Sequence, residues 1–323
     1  MNKPLIIIAG PTATGKSDTA IELAKQIGGA VISADSMQVY RGCDIGSAKI
    51  MPDEMQGIDH YLIDCLDPKD EFHVVAFAKM AKDAMEQICE KGQIPILTGG
   101  TGFYIQAVLY DIDFGSVTDE PKLRENYYEY ADRYGAEALH ALLKEVDPKA
   151  AEAIHPNNIK RVIRALEYYE GTGRAISAHN EAQRKKSSPY RFAYYVLTDD
   201  RAKLYKRINE RVDKMFDAGL EAEVRSLYDA GMTEDDMSMK GIGYREFFPY
   251  FAGKCTIEQV REQIKTDTRH FAKRQITWFK REKDARWVDI ADFKRDPKQI
   301  ADYLAGRLKK DRFWSDPDQL GEE

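Results

Sequence analysis

Between the apolar run Leu5–Ala9 and an amphipathic segment, the chain carries Gly10-Pro11-Thr12-Ala13-Thr14-Gly15-Lys16-Ser17, which matches G-x-x-x-x-G-K-[ST]. Such a loop needs a buried strand before it and a helix after it, and both are legible. Leu5–Ala9 is uninterrupted apolar sequence, and Ala20, Ile21, Ala24 and Ile27 recur at helical spacing. The loop turns backbone N–H groups toward an anion, adds the positive end of a helix, and supplies Lys16 as a point charge. Ser17 is placed to hold a magnesium ion that bridges phosphate oxygens. Every residue from Gly10 to Ser17 is therefore a candidate phosphate contact. Whether a phosphoryl group moves is left open.

Strands and helices alternate through the first third. Ala30–Ala34 predicts a second strand, Tyr61–Asp64 a short third and Ile94–Thr98 a fourth. A helix over Val74–Glu90 puts Val75, Ala78, Ala81, Met85 and Ile88 on one face. This alternation implies a parallel sheet covered on both sides, with ligands beyond the C-terminal strand ends, where Gly10, Asp35 and Gly99-Gly100 fall. From about Ser116 the pattern turns helical, over Pro121–Tyr134, Ala136–Glu145, Asp147–Ile154 and Asn158–Glu170. The linker Gln183–Pro189 precedes a strand at Arg191–Thr198, then a long helix from Ala202, another over Glu258–Lys280 and a last strand near Arg286–Asp289. We expect an α/β fold, a P-loop NTPase or nucleotide-kinase-like parallel sheet flanked by helices. Its core is built from 1–115 and 190–313, with a helical insertion domain over 116–189; the acidic tail 314–323 is expected to be disordered.

Composition narrows the function classes. With 32% charged and 43% hydrophobic residues the chain reads as an ordinary globular protein. No apolar stretch approaches bilayer length and the phosphate loop starts too early for a signal peptide, so a cytoplasmic location and no membrane partner are expected. Cys43, Cys65, Cys89 and Cys255 lack C-x-x-C spacing, and the six histidines lack ligand spacing. Free thiols and no protein-bound zinc follow. A net charge of −6 argues against blanket attraction to nucleic acid, so any such binding has to come from a local basic face. Nothing points to an obligate protein partner.

Two strand-end loops carry candidate chemistry. The Asp35 carboxylate fits a general base, a magnesium ligand or a helix N-cap, and Ser36-Met37-Gln38 continue toward the same place. In Gly99-Gly100-Thr101-Gly102 the glycines permit close backbone approach or a tight turn, and a turn does not explain Thr101. No strand ends in an Asp-Glu pair and no N-K-x-D signature occurs, which weakens motor-ATPase and GTPase readings. On the Glu258–Lys280 helix, Ile257, Val260, Ile264, Phe271 and Trp278 form an apolar stripe. Arg261, Lys265, Arg269 and Lys273 form a basic one, extended by Arg274, Lys280 and Arg281; it is either a solvated face or a nucleic-acid contact. Lys160-Arg161-Val162-Ile163-Arg164, Arg184-Lys185-Lys186 and Lys240-Gly241-Ile242-Gly243-Tyr244-Arg245 favour the contact, with Tyr244 either stacking on a base or sitting in the core. Arg207 and Arg211, one helical turn apart, either reach the phosphate or pair with Glu210 and Asp213.

Together GPTATGKS, ISADSMQVYRGCDIGSAK, DHYLID, LTGGTGFY, HPNNIKRVIRALE, GLEAEV, KGIGYRE and FAKRQITWFKR resemble the tRNA dimethylallyltransferase (tRNA isopentenyltransferase) family, bacterial type, over nearly the whole chain. The resemblance implies transfer of a dimethylallyl group from dimethylallyl diphosphate to the exocyclic amine of the adenine just 3′ of the tRNA anticodon, with Mg2+ as cofactor. On that pattern Gly10–Ser17 holds the diphosphate, Asp35 is the general base with Thr101 beside it, and Lys16 and Arg211 stabilise the leaving group. Contacts to tRNA fall on Asp35, Ser36, Met37, Gln38, Thr101, Arg124, Lys160, Arg161, Val162, Ile163, Arg164, Lys240, Gly243, Tyr244, Arg245, Lys273, Arg274, Gln275 and Lys280. The rival readings are a small-molecule kinase that moves a γ-phosphate, and an RNA-binding protein whose nucleotide site only regulates it.

Overall fold

The computed structural model describes residues 3–114 and 121–313, apart from the side chains of Pro121 and Arg184; the expected boundary at 116 and the tail 314–323 lie outside the described residues. In chain order, β1 (Pro4–Ala9) enters the phosphate loop and α1 (Lys16–Ile27) leaves it. Then come β2 (Gly29–Ser33), β3 (His60–Tyr61), α2 (Val74–Glu90), β4 (Ile94–Gly99) and α3 (Gly102–Leu109). Five helices follow: α4 (Pro121–Tyr134), α5 (Ala136–Val146), α6 (Pro148–Ala153), α7 (Ile159–Thr172) and α8 (Ile176–Arg184). The chain then returns to strand at β5 (Arg191–Thr198) and continues through α9 (Arg201–Asp217), α10 (Leu220–Asp229), α11 (Phe247–Phe251), α12 (Ile257–Phe279), β6 (Arg286–Asp289) and α13 (Pro297–Lys310).

Two compact units result, one drawn from Met1–Leu109 with Ser188–Glu323 and the other from Tyr110–Ser187. In the first, the strands form one sheet in the order β3-β2-β4-β1-β5-β6, with every pairing parallel. Parallel strands buried on both faces need continuous apolar runs, and Leu5 to Ala9 are accordingly fully buried. On one face α1 and α13 pack Ala20, Leu23, Ala24, Leu304 and Leu308 against Ile6, Ile8, Val31 and Ile96. On α2 and α3, Phe77 stacks on Tyr104 with ring centroids 4.5 Å apart. The register pairs Ala9 with Gly99 and Ser33 with Thr98, so β1, β2 and β4 end at one level and their loops meet there.

The second unit is a helical cluster around Leu139, Leu143, Val162, Ile163 and Leu166. Buried Asp147 stitches it, accepting from the N–H of Ala150 at 3.0 Å and of Ser177 at 2.8 Å. Two local readings change. The third strand stops at Tyr61 rather than Asp64, because Leu62 (φ 63°) and Asp64 (φ 53°) turn left-handed and leave the ladder. Helix α8 has no sequence cue at its start, since Ala175 supplies no capping side chain.

Candidate active site

The phosphate loop is tied from three sides. Internally, the Thr14 hydroxyl and the Lys16 ammonium both donate to the Pro11 carbonyl at 2.8 Å. From α9, Arg211 Nη1 donates to Thr12 Oγ1 at 3.3 Å. From α12, Gln275 accepts the Thr12 N–H at 2.9 Å through Oε1 and donates to the Gly100 carbonyl at 3.0 Å through Nε2. One buried amide thus joins the phosphate loop to the glycine loop after β4. A Cβ on Gly100 would sit 2.1 Å from Gln275 Nε2, so a side chain there would displace the bridging amide.

Asp35 follows β2, and its Oδ1 accepts the Met37 N–H at 2.8 Å, an Asx turn that fixes the carboxylate. The Thr101 N–H reaches the Ala34 carbonyl at 3.4 Å, which places Thr101 beside Asp35. A Cβ on Gly99 would lie 2.3 Å from the Ala34 oxygen, so that approach requires glycine. A cavity of about 100 Å³ runs between these loops. Thr12, Lys16, Ser17 and Arg211 form its cationic wall; Ser33, Asp35, Gln38 and Thr98 add polar groups; Val31, Ile50 and Ile63 add hydrocarbon.

The electrostatics are those of an anion site. Burial, then the neighbouring Arg211 guanidinium, pull the Lys16 ammonium down from 10.5 to about 7, with Asp35 opposing. Burial likewise lowers the Arg211 pKa, opposed by Asp35, Asp18 and Glu54. Two cations are thus deeply set around a space that also holds one carboxylate, an arrangement that an incoming anion relieves. No group of three His, Cys, Asp or Glu among the described residues is placed to hold a metal by itself. Ser17, lining the cavity beside Lys16, instead suits magnesium of the phosphate-bound kind, which takes few protein ligands.

The residues read from sequence as RNA contacts divide. Lys160, Arg161 and Arg164 are exposed on α7, whereas Val162 and Ile163 are buried in the core of their unit. Those two side chains are corrected from contact to packing. Arg124 forms a fork with Glu167 at 2.7 and 3.2 Å, bracing α4 on α7. Lys240, Lys273, Arg274 and Lys280 are exposed; Ser36, Met37 and Gln38 are half-buried, and of these Gln38 lines the cavity. Arg245 is committed to Glu246 and Asp267 at 2.8 and 2.9 Å. Gly243 (φ 98°) gives its N–H to Glu246 at 2.8 Å.

Tyr244 is fully buried and donates to Glu223 at 2.8 Å, so its ring cannot stack on a base; the stacking expectation is corrected. Much of the basic stripe on α12 is a helix seam: Arg261 and Lys265 pair with Asp213, and Arg269 donates to Asn209, all on α9. Phe271 and Trp278 are not core; Phe271 lines the cavity, and Trp278 lines a groove of about 460 Å³ with His270, Lys273, Arg274, Thr277 and Arg281. Arg207 pairs with Asp199 at 2.9 Å instead of reaching the phosphate loop.

Two groups escaped the sequence reading. Glu223 accepts the N–H groups of Asp44, Ile45 and Gly46 at 3.0, 2.6 and 3.0 Å, gripping the loop that carries Ser47 and Ala48. Lys49 has a fully buried side chain that donates to the Tyr40 carbonyl at 2.6 Å and pairs with Asp44 at 2.5 Å and with Asp64. A lysine in a short loop gives no sequence signal of burial. Its counter-ions become visible only once the left-handed turn at Asp64 is known.

A phosphate loop on a parallel sheet, two half-buried cations and a carboxylate across a small cavity define a phosphate-binding transferase. The family model described as IPP transferase matches residues 38–282, and the chain belongs to that family. It is 54% identical to the tRNA dimethylallyltransferase of Lachnoclostridium phytofermentans over 91% of this chain and 94% of that one. Identity to the Bacillus subtilis tRNA dimethylallyltransferase is 44%, covering 95% and 98%. Among solved structures, the tRNA isopentenylpyrophosphate transferase of Bacillus halodurans aligns with a TM-score of 0.71 at 43% identity, over 96% and 98% of the two chains. A eukaryotic dimethylallyltransferase caught acting on tRNA aligns at 0.85 with 31% identity, over 98% of this chain and 80% of that one.

Proposed function

We propose that the chain transfers the dimethylallyl group of dimethylallyl diphosphate to the exocyclic N6 amine of the adenosine 3′-adjacent to the anticodon, in the cytoplasm. The observation that carries this reading is the convergence of Lys16, Arg211 and Asp35 on one cavity bounded by the phosphate and glycine loops. The loop N–H groups, Lys16 and Arg211 bind the diphosphate and stabilise the charge that grows on it as the C1–O bond breaks. The N6 lone pair forms the new bond to C1, and the N6 proton passes to the Asp35 carboxylate, which the Met37 N–H holds in place. Ser17 would hold a magnesium ion, which would supply further charge neutralisation to the leaving group. The adenine has to leave its stack to reach Asp35, which costs a few kcal/mol and least in a single-stranded loop. Lys273, Arg274, Lys280 and Lys240, with Lys160, Arg161 and Arg164 of the insertion, supply exposed positive charge for the tRNA backbone.

Undermodified tRNA incubated with labelled dimethylallyl diphosphate or γ-labelled ATP, and magnesium, tests the reading. Label from the allylic donor enters the RNA in wild type and falls by about 100-fold or more in Asp35→Asn, the scale of a lost general base. Transfer from ATP to a small acceptor would instead support a kinase.

A further inference from the structure

The sheet aligns the loops that carry the reacting groups only as far as its last paired residues. The β1–β4 ladder ends at Ala9 and Gly99. Past that pair, no backbone hydrogen bond among the described residues joins 11–15 of the phosphate loop to 100–102 of the glycine loop. The Gln275 side chain joins them instead, buried and forming part of the cavity wall. Its Oε1 meets the Thr12 N–H at 2.9 Å and its Nε2 meets the Gly100 carbonyl at 3.0 Å, so the amide can serve in one orientation only. On the far side of Gly100, the Thr101 N–H reaches the Ala34 carbonyl at 3.4 Å, next to Asp35. One chain of contacts therefore runs from the phosphate loop through Gln275 to the loop that holds the carboxylate.

Both ends of this bridge are fixed. One turn before Gln275, Ala272 is buried with Leu204 and Ile208 of α9, and Ile276 and Ala13 of the phosphate loop close on that cluster. Thr12 is pinned a second time through its hydroxyl by Arg211. Lys273 and Arg274, adjacent in sequence, are exposed, so Gln275 faces inward while its neighbours face solvent. Neutral hydrogen bonds to backbone add little net stability. A packed apolar side chain would fill the same space; what the amide adds is a set separation between two loops.

We propose that Gln275 is a positioning residue for the transfer reaction, its amide holding the diphosphate loop at a fixed distance from the Asp35 loop. This rests on the allylic-donor reading above. As the C1–O bond breaks and the N6–C1 bond forms, C1 is placed by the phosphate loop and N6 by Asp35. The two atoms have to meet at about 3–3.5 Å, and a misplacement of ~1 Å costs about 100-fold in rate. Methionine matches glutamine in length and can make neither bond. Gly100→Ala attacks the bridge from its other end: its Cβ would lie 2.1 Å from Gln275 Nε2, and Gly100 is not left-handed, so its backbone accepts alanine.

The test measures kcat and KM for dimethylallyl diphosphate, and tRNA affinity, in wild type, Gln275→Met, Gly100→Ala and the double variant. Each single change should lower kcat about 100-fold at saturating tRNA and donor, with the tRNA dissociation constant as in wild type. Since both break one bridge, the double variant should fall within about threefold of either single one, whereas independent losses would multiply to about 10,000-fold. Melting curves show how much of each variant is folded, and Gly100→Ala decides alone if Gln275→Met does not fold. Weaker tRNA binding with kcat intact would return Gln275 to the RNA interface. A lower melting temperature with kcat intact would make it a core residue, and multiplied losses would make the two positions independent. Each of these overturns the positioning role while the transferase stands; no transfer from the allylic donor by wild type would overturn both.

Discussion

Replacing Lys16 by methionine should make the ligand-free protein more stable while disabling it. The ammonium falls from 10.5 to about 7, chiefly through burial and secondly through Arg211. At 1.36 kcal/mol per pKa unit, holding the proton in the folded state costs about 5 kcal/mol below pH 7. Lys16 is only half-buried, so solvent screens part of this, and we expect methionine to recover ~2 kcal/mol at pH 7. The substitution loses little else, since the Pro11 carbonyl that Lys16 bonds keeps the Thr14 hydroxyl as donor. Because the folded state binds this proton less tightly than the unfolded chain, wild-type stability rises as pH climbs from about 7 toward 10.5, and the variant lacks that rise. Urea denaturation at pH 6.5, 7.5 and 9, with and without diphosphate, reads both effects. Diphosphate should raise the wild-type midpoint and leave the variant almost unmoved. A variant less stable than wild type with an unchanged pH slope would refute the claim that Lys16 is a strained, preorganised cation.

Two further outcomes follow from the placement of charge and hydroxyl groups. Tyr244→Phe keeps the buried ring and removes one of the four donors to Glu223, so it should cost about 1–2 kcal/mol of stability and leave the salt dependence of tRNA binding unchanged; a flattened salt slope would restore Tyr244 to the RNA interface. Replacing Lys273 and Arg274 together should weaken tRNA binding and reduce the slope of log K against log salt by about 1–2, with diphosphate binding intact. An unaltered slope would make that end of α12 an ordinary solvated face.

What could be read in advance follows from where each residue's partners lie. Leu5–Ala9 and Ile94–Thr98 announce themselves because strands buried on both faces have no polar interruptions. Asp35 and Gly99–Thr101 are legible because a parallel sheet puts its ligand loops at the strand ends. Gln275, expected among the RNA contacts, is instead buried on α12 beside Ala272 and Phe279, and its amide takes two partners inside the protein. Those partners, Thr12 and Gly100, lie 263 and 175 residues away and no local pattern names them. Lys49 is hidden too, with a further obstacle: one of its carboxylates, Asp64, is delivered by a left-handed turn at residues that carry no glycine signal.

Arg207 and Arg211 show how a choice that was even in sequence is decided by one neighbouring acid. They lie one turn apart on α9 and share a face. Asp199, just before the helix, captures Arg207 at 2.9 Å and takes Arg295 as well at 2.8 Å. Arg211, a turn further on, is beyond that carboxylate and makes no ion pair among the described residues; it bonds only the neutral Thr12 hydroxyl. Its charge acts on Lys16, whose pKa it helps to lower, while Asp35 opposes both effects at longer range. A protein that only needed packing would have neutralised one of these cations, as it did Arg207. Leaving both without an ion pair among the described residues, beside a phosphate loop, costs stability, and an incoming diphosphate removes that cost; this is why Lys16→Met should separate stability from function.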